Sequence, residues 1–267
     1  MIDGPLPAIG SLLSPVPAAS FSALLTANSL TPGLTVPPGQ HLGGLPAPEA
    51  TTILALRYAD GVVMVGDRQA TEGYSVAHRR MQKVFPADAY SAVAISGTAG
   101  LAMEMVRLFQ TELEHYEKLE GARLSLEGKA NHLSAMMRSR LPMVFQGLVV
   151  VPLFAGFDER TGRGHLYTFD VVGGRYEEED FTATGSGGRE AKSALRGSYR
   201  PQLDESEALG MAIKALVVAA DEDTATAGPD LRREIYPTAV VVDRAGYREI
   251  PVERVAELTR SVIGGMA

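Results

Sequence analysis

The sequence contains no cysteine, which excludes several kinds of chemistry at once. Disulfides, cysteine-ligated zinc, iron–sulfur clusters and a thiol nucleophile all require that residue. Lysine and arginine are missing from the first fifty positions, where Asp3 and Glu49 are the only charged residues. A secretory signal begins with a basic segment, yet the first positive charge is Arg57. No apolar run there approaches the roughly 20 residues that span a bilayer, so we expect neither secretion nor membrane insertion.

Charge and composition narrow the class of protein further. The net charge is −7, so a basic surface for nucleic acid is not expected. An apolar content of 45% and a charged content of 21% are typical of a soluble globular protein. No histidine lies in a metal-binding motif such as HExxH, and we expect no metal site and no cofactor. The five histidines are His41, His78, His115, His132 and His165.

The first fifty residues differ in composition from the other 217. They hold nine of the sixteen prolines, and proline breaks helices and removes donors from strands. Two interpretations fit this composition: a disordered tail, or a pro-segment that is removed. Composition alone does not separate them.

From residue 51 onwards, hydrophobic periodicity predicts strands, two helices, strands, two helices, strands and a last helix. Short turns between strands indicate antiparallel sheets. We therefore predict an α+β fold, a four-layer αββα sandwich formed by residues 51–267 as one domain. The predicted strands are 51–57, 62–66, 91–96, 148–157, 164–171, 174–178 and 181–184, with a hairpin over 237–249. The predicted helices cover 101–116, 126–144, 187–197, 205–222 and 251–263.

Thr51 opens the first predicted strand, where threonine is common for structural reasons alone. Cleavage of the bond after Ala50 would place a free α-amine and a hydroxyl on this one residue. An amine with a reference pKa of about 7.7–8.0 is partly neutral near pH 7 and can accept the hydroxyl proton. A threonine paired with its own amine is a known nucleophile and base.

Asp67 and Lys83 are candidates for the groups beside such a nucleophile. Taken singly, each reads as an ordinary turn carboxylate or solvated strand lysine. Taken together, a carboxylate would hold the lysine charged, and the lysine would disfavour the protonated form of a neighbouring amine.

Three turns between strands and helices carry further candidates. Residues 96–100 (SGTAG) open a helix, whose backbone N–H groups can stabilise an oxyanion. Residues 185–188 (GSGG) also open a helix but lack the GxGxxG spacing of a nucleotide site. Residues 223–228 (DTATAG) follow a helix and read, by themselves, as a polar cap and loop.

Together these segments resemble the β subunit of the 20S proteasome, most closely its actinobacterial form. The resemblance runs from Thr51 to about Ile263. It rests on the order of several segments, no one of which is decisive: TTILALRYADGVVMVGDRQAT, RRMQKVF, ISGTAG, LEHYEKLEG, ATGSGG, AADEDTATAGPD and YPTAVVVD. The resemblance implies an N-terminal nucleophile hydrolase, in agreement with the predicted layers.

The resemblance implies a role for each matching residue. Thr51 matches the nucleophile, freed by self-cleavage of residues 1–50 as a propeptide at the Ala50–Thr51 bond. Gly97 matches the N–H donor of the oxyanion hole. The other matching catalytic residues are Asp67, Lys83, Ser186, Asp223 and Thr226.

Residues that would bind substrate follow from the same resemblance. Thr71 and Ala99 match positions that pair with the substrate backbone. A mostly apolar pocket for the side chain before the scissile bond implies cleavage after apolar residues, although the same set also fits an ordinary core. The pocket residues are Ala70, Met81, Phe85, Ile95, Ala99 and Met103.

Two residues depart from the family pattern. Ala50 stands where relatives usually have glycine, which would slow self-cleavage without preventing it. Ala227 also replaces a common glycine, which puts the local backbone in doubt.

The resemblance also implies partners. Rings of seven α subunits would cap two rings of seven β subunits, giving a cytoplasmic core of 28 subunits. A ring ATPase would feed it tagged, unfolded proteins. Two alternatives are a subunit of the simpler two-component bacterial protease and an inactive structural ring subunit.

Overall fold

A computed structural model of the chain describes residues 51–72 and 75–266. The predicted propeptide, residues 1–50 with Ala50 at its cleavage site, lies outside the described residues. The described strands are β1 (Thr52–Tyr58), β2 (Gly61–Gly66), β3 (Ala70–Glu72), β4 (Ser75–His78), β5 (Val84–Asp88), β6 (Ser91–Gly97), β7 (Val150–Asp158), β8 (Arg163–Phe169), β9 (Arg175–Glu178), β10 (Phe181–Gly185), β11 (Thr238–Asp243) and β12 (Gly246–Glu249). The described helices are α1 (Ala99–Glu120), α2 (Leu126–Ser139), α3 (Leu141–Val144), α4 (Gly188–Ser198), α5 (Glu205–Glu222) and α6 (Val252–Met266).

Ten strands form two five-stranded antiparallel sheets. The first sheet has the order β10-β1-β2-β11-β12, and the second has the order β5-β6-β7-β8-β9. Strands β3 and β4 pair separately as a hairpin. Short turns join two of the four neighbouring pairs in the first sheet and three of the four in the second, and antiparallel pairing permits such turns.

Alternating side chains of the central strands divide the core into three apolar layers. In β1, Leu54 and Leu56 face a cluster with helices α4, α5 and α6, whereas Ile53 and Ala55 face the second sheet. In β7, Phe154 packs among residues of α1 and α2. Because both faces of these strands are buried, they read as continuous apolar runs. The predicted four-layer αββα sandwich is confirmed.

One local prediction was wrong, and one hairpin was not predicted. The helix predicted over 126–144 ends at Ser139, and α3 follows it. Pro142 has no N–H, and its ring would clash with the carbonyl of Arg138 in a continuous helix. The β3–β4 hairpin was not predicted, because its strands are three and four residues long and β4 is exposed along its length.

Among the described helices, none has the length and apolar character needed to cross a bilayer.

Replacing Phe154 by alanine is expected to lower the free energy of unfolding by about 3–5 kcal/mol, because it leaves a cavity in a buried core. Phe154 is fully buried and packs edge-on against Phe109 at 5.9 Å between ring centroids. Urea unfolding of the full chain measures the change. The control is Leu119→Ala, at a side chain 70% exposed, which should shift stability by less than about 0.5 kcal/mol. Equal effects would contradict the assignment of Phe154 to the core.

Candidate active site

Asp67 and Lys83 form an ion pair that is shielded from solvent. Lys83 Nζ lies 2.7 Å from Asp67 Oδ1, and each residue is only 1% exposed. Asp67 directly follows β2 of the first sheet, and Lys83 directly precedes β5 of the second. Lys83 Nζ also donates to the carbonyl of Gln69. The ion pair therefore ties the two sheets together at one end of the sandwich.

Asp67 also accepts hydrogen bonds from three backbone N–H groups. Its Oδ1 accepts from Thr52 at 2.9 Å. Its Oδ2 accepts from Gln69 at 3.0 Å and, more weakly, from Ala227 at 3.4 Å. These donors compensate for the removal of the carboxylate from water. Because Thr52 directly follows the predicted nucleophile, the ion pair is held one residue away from it.

Ser186, Asp223 and Thr226 form a second polar cluster. Ser186 lies in the turn between β10 and α4, and Asp223 caps the end of α5. The hydroxyls of Ser186 and Thr226 each donate to Asp223 Oδ2 at 2.5 Å. Burial raises the pKa of Asp223, but hydrogen bonds from Ser186, from Thr226 and from backbone N–H groups lower it more. The pKa of Asp223 therefore lies below its ordinary value, and the carboxylate is charged at neutral pH.

Thr51 and Thr52 connect the second cluster to the ion pair. Ser186 N–H donates to the carbonyl of Thr51 at 2.9 Å. Thr52 Oγ lies 2.6 Å from Thr226 Oγ and accepts from Gly187 N–H at 2.9 Å. One continuous hydrogen-bond network thus brings together six of the seven predicted catalytic residues: Thr51, Asp67, Lys83, Ser186, Asp223 and Thr226.

Gly185 holds the other side of the Thr51 backbone. Its φ is +100°, and a Cβ built on it would lie 1.7 Å from the carbonyl oxygen of Thr51. Only glycine combines this backbone conformation with so close an approach. Thr51 itself is 4% exposed. The GSG turn therefore packs directly on the predicted nucleophile.

Gly97, the predicted oxyanion donor, ends β6 of the second sheet. Its φ is +106°, and a Cβ there would lie 2.1 Å from the carbonyl oxygen of Val149. Two residues earlier, Ile95 N–H donates to the carbonyl of Lys83 at 3.0 Å. Strand β6 therefore runs beside Lys83 and brings Gly97 to the same end of the sandwich. Its contact with an oxyanion stays a prediction.

Comparison with known proteins now identifies the family. A sequence profile of proteasome subunits matches residues 48–230. The chain belongs to the proteasome subunit family. Proteasome subunit beta of Acidimicrobium ferrooxidans is 53% identical over 243 residues, which cover 91% of this chain and 88% of that protein.

Two further relatives carry the same description. Proteasome subunit beta of Streptomyces griseus is 51% identical over 249 residues, covering 92% of this chain and 88% of that protein. Proteasome subunit beta 2 of Thermomonospora curvata is 51% identical over 252 residues, covering 93% of this chain and 89% of that protein. The predicted resemblance to proteasome β subunits is confirmed.

Three of the seven predicted substrate residues share one apolar cluster, and the other four lie outside it. Phe85 and Ile95 are buried in the cluster under α1, and Met103 on α1 packs against them. Their burial also fits an ordinary core role, so the pocket stays a prediction. The other four are Ala70 and Thr71 in β3, Met81, whose N–H donates to the carbonyl of Arg68, and Ala99 at the start of α1.

Several groups that form this site were not predicted from the sequence. Gln69 contributes its N–H to Asp67 and its carbonyl to Lys83. Ala227, noted only as a departure from the family pattern, contributes its N–H to Asp67. Backbone groups carry no residue-type signal, so no sequence pattern points to them. The Thr-Thr pair does make Thr52 visible in the sequence. However, a threonine that is only buried in a strand cannot be distinguished in sequence from one that supports a site.

Replacing Lys83 by alanine is expected to destabilise the subunit by about 3–5 kcal/mol, because it leaves Asp67 as an unpaired buried charge. Urea unfolding of the full chain measures the loss. In the double variant Asp67→Asn/Lys83→Ala no unpaired charge remains, so its loss should be smaller than the sum of the single losses.

The matched control for Lys83→Ala is Lys118→Ala. The pair of Lys118 with Glu114 is 72% and 65% exposed, and such pairs contribute less than about 1 kcal/mol. Equal losses from the two alanine variants would contradict the structural importance of the buried pair.

Proposed function

We propose that this subunit is a threonine endopeptidase whose nucleophile is Thr51. Proteasome β subunits as a family are threonine proteases. The observation that carries the proposal is the network in which Thr51 and its neighbour lie between a buried Lys83–Asp67 pair and the Ser186–Asp223 cluster. A purely structural subunit has no need of a buried charge beside its first strand, since burying ions is costly.

The first reaction of the proposal is self-cleavage. Thr51 Oγ attacks the carbonyl carbon of Ala50, a C–O bond forms, and the C–N bond to Thr51 breaks with proton transfer to the nitrogen. Water then hydrolyses the resulting ester, which restores the hydroxyl and releases residues 1–50. The product carries the hydroxyl and a free amine on one residue.

Peptide hydrolysis follows the same course. The Thr51 amine accepts the hydroxyl proton as Oγ attacks a substrate carbonyl. Gly97 N–H donates to the developing oxyanion. The proton passes to the leaving amine, and water with the Thr51 amine as base hydrolyses the acyl-enzyme. The charge of Lys83, held by Asp67, disfavours the protonated amine and so keeps the base available.

The proposal includes the partners that the resemblance implies. Family membership implies assembly into the rings of a proteasome core. In the proposal these are two rings of seven β subunits capped by rings of seven α subunits, in the cytoplasm, fed with tagged, unfolded proteins by a ring ATPase. In the proposal, large apolar side chains that this chain leaves exposed are candidate contacts between subunits. They include Leu119, Phe145 and Val172, which are 70%, 50% and 53% exposed.

Thr51→Ala is expected to leave the full 267-residue chain uncut and without peptidase activity, because the nucleophilic oxygen is gone. Intact mass of assembled particles and labelling by a peptide epoxyketone measure the two effects. Thr51→Ser is the control, since it keeps the hydroxyl and should be cut and labelled. Wild-type particles whose β chains still begin at Met1 would overturn the proposal.

The apolar pocket predicts the peptide preference. Among fluorogenic peptides that differ only in the residue before the scissile bond, leucine should be cleaved at least about tenfold more efficiently than glutamate. The measurement is kcat/KM, with Thr51→Ala particles as the background. Arg79 and Arg80 directly precede Met81 in the chain. Faster cleavage after glutamate would therefore contradict the apolar pocket and favour these arginines as specificity residues.

A further inference from the structure

We propose that Thr52 is a positioning residue whose hydroxyl holds Ser186 and Asp223 in place beside Thr51. The inference rests on the proposed function, because it concerns the reaction at Thr51. It assigns a role to the second threonine of the pair, which neither the resemblance nor the comparisons give.

Thr52 is the residue through which the two halves of the site are joined. It is fully buried at the start of β1. Its backbone serves the ion pair: the N–H donates to Asp67 Oδ1 at 2.9 Å, and the carbonyl accepts from Asp67 N–H at 3.1 Å. Its side chain serves the second cluster, 2.9 Å from Gly187 N and 2.6 Å from Thr226 Oγ.

The direction of each hydrogen bond in the second half follows from donor chemistry. Asp223 is ionised at neutral pH and can only accept, so the hydroxyl hydrogen of Thr226 is committed to it. Gly187 N–H can only donate, so it donates to Thr52 Oγ. Thr52 must therefore donate its own hydrogen to Thr226. We call this chain of hydrogen bonds the relay: each group donates to the next, from Gly187 through Thr52 and Thr226 to Asp223. Hydrogen bonds that run in one direction polarise one another, so each bond of the chain is stronger than it would be alone.

This relay reaches back to the nucleophile through Ser186. The Ser186 hydroxyl donates to the same carboxylate oxygen as Thr226, and its backbone N–H donates to the carbonyl of Thr51. Without the Thr52 hydroxyl, Gly187 N–H loses its acceptor and Thr226 loses its donor in a buried site. The carboxylate and Ser186 would then no longer be held in one arrangement around Thr51.

A matched control exists in the neighbouring strand. Thr182 in β10 is also fully buried, but its Oγ has no hydrogen-bond partner among the described residues. Thr182→Val and Thr52→Val make the same change in size and polarity in the same sheet. They differ in whether the lost hydroxyl belongs to the relay.

The experiment uses full-length chains assembled with α subunits. Intact mass gives the processed fraction, and titration with a peptide epoxyketone gives the number of active sites. The kcat per titrated site and KM are then measured with an apolar fluorogenic peptide. The variants are Thr52→Val, Thr52→Ser, Thr182→Val, Thr226→Val and the double variant Thr52→Val/Thr226→Val.

We expect Thr52→Val to lower kcat by roughly ten- to a hundredfold, because Ser186 and Asp223 would no longer be held in place beside Thr51. KM should change little. Self-cleavage should slow as well, because it uses the same hydroxyl of Thr51. Thr52→Ser should stay close to wild type, and Thr182→Val should match it. The double variant should be no slower than the slower single variant, since both changes break one relay.

Several outcomes would overturn the inference while leaving the proposed function intact. They are a wild-type kcat in Thr52→Val, no recovery in Thr52→Ser, or losses that multiply in the double variant. If Thr52→Val does not assemble, Thr52→Ala, which only removes atoms, takes its place with the same expectations. A wild-type chain that is neither processed nor active would instead overturn the proposed function.

Discussion

The buried ion pair of Asp67 and Lys83 is the interaction on which the rest of the site depends. It links the end of β2 in one sheet to the start of β5 in the other, with both side chains withdrawn from water. Burying two charges is tolerated only when each is paired and hydrogen-bonded. The backbone donors of Thr52, Gln69 and Ala227 meet that condition. Hydrogen bonding to this one carboxylate therefore holds the segment after β2 and the loop after α5 against the start of the first strand.

The second cluster follows from the layering of the sandwich. Helices α4 and α5 cover the first sheet, so the turn before α4 and the loop after α5 meet at the end of the sheet where β1 begins. Ser186 and Asp223 come from these two connections and meet each other there. The site is thus built where both sheets and one helix layer end together. Most of its polar side chains belong to connections, which a rigid core positions.

The sequence was most informative where burial was most complete. Strands such as β1 and β2 are buried on both faces and carry the apolar runs ILAL and VVMV, which predicted their positions to within one or two residues. Prediction failed where local chemistry overrode periodicity. Pro142 ended a helix inside an apparently continuous pattern, and the exposed strand β4 had no apolar alternation to reveal it. For the site, Asp67 and Lys83 each looked ordinary alone, and only their joint interpretation as a charge pair beside Thr51 pointed to chemistry.

By itself, the sequence determined the order of the elements, the four-layer arrangement and the residue types available for chemistry. Those properties depend on hydrophobic periodicity and on composition, which are local. Only the tertiary structure decided which polar groups are partners. Thr52 and Thr226 lie 174 positions apart, yet their hydroxyls are 2.6 Å apart. Such a contact depends on where turns from separate layers converge, and many of the donors are backbone N–H groups that every residue but proline carries.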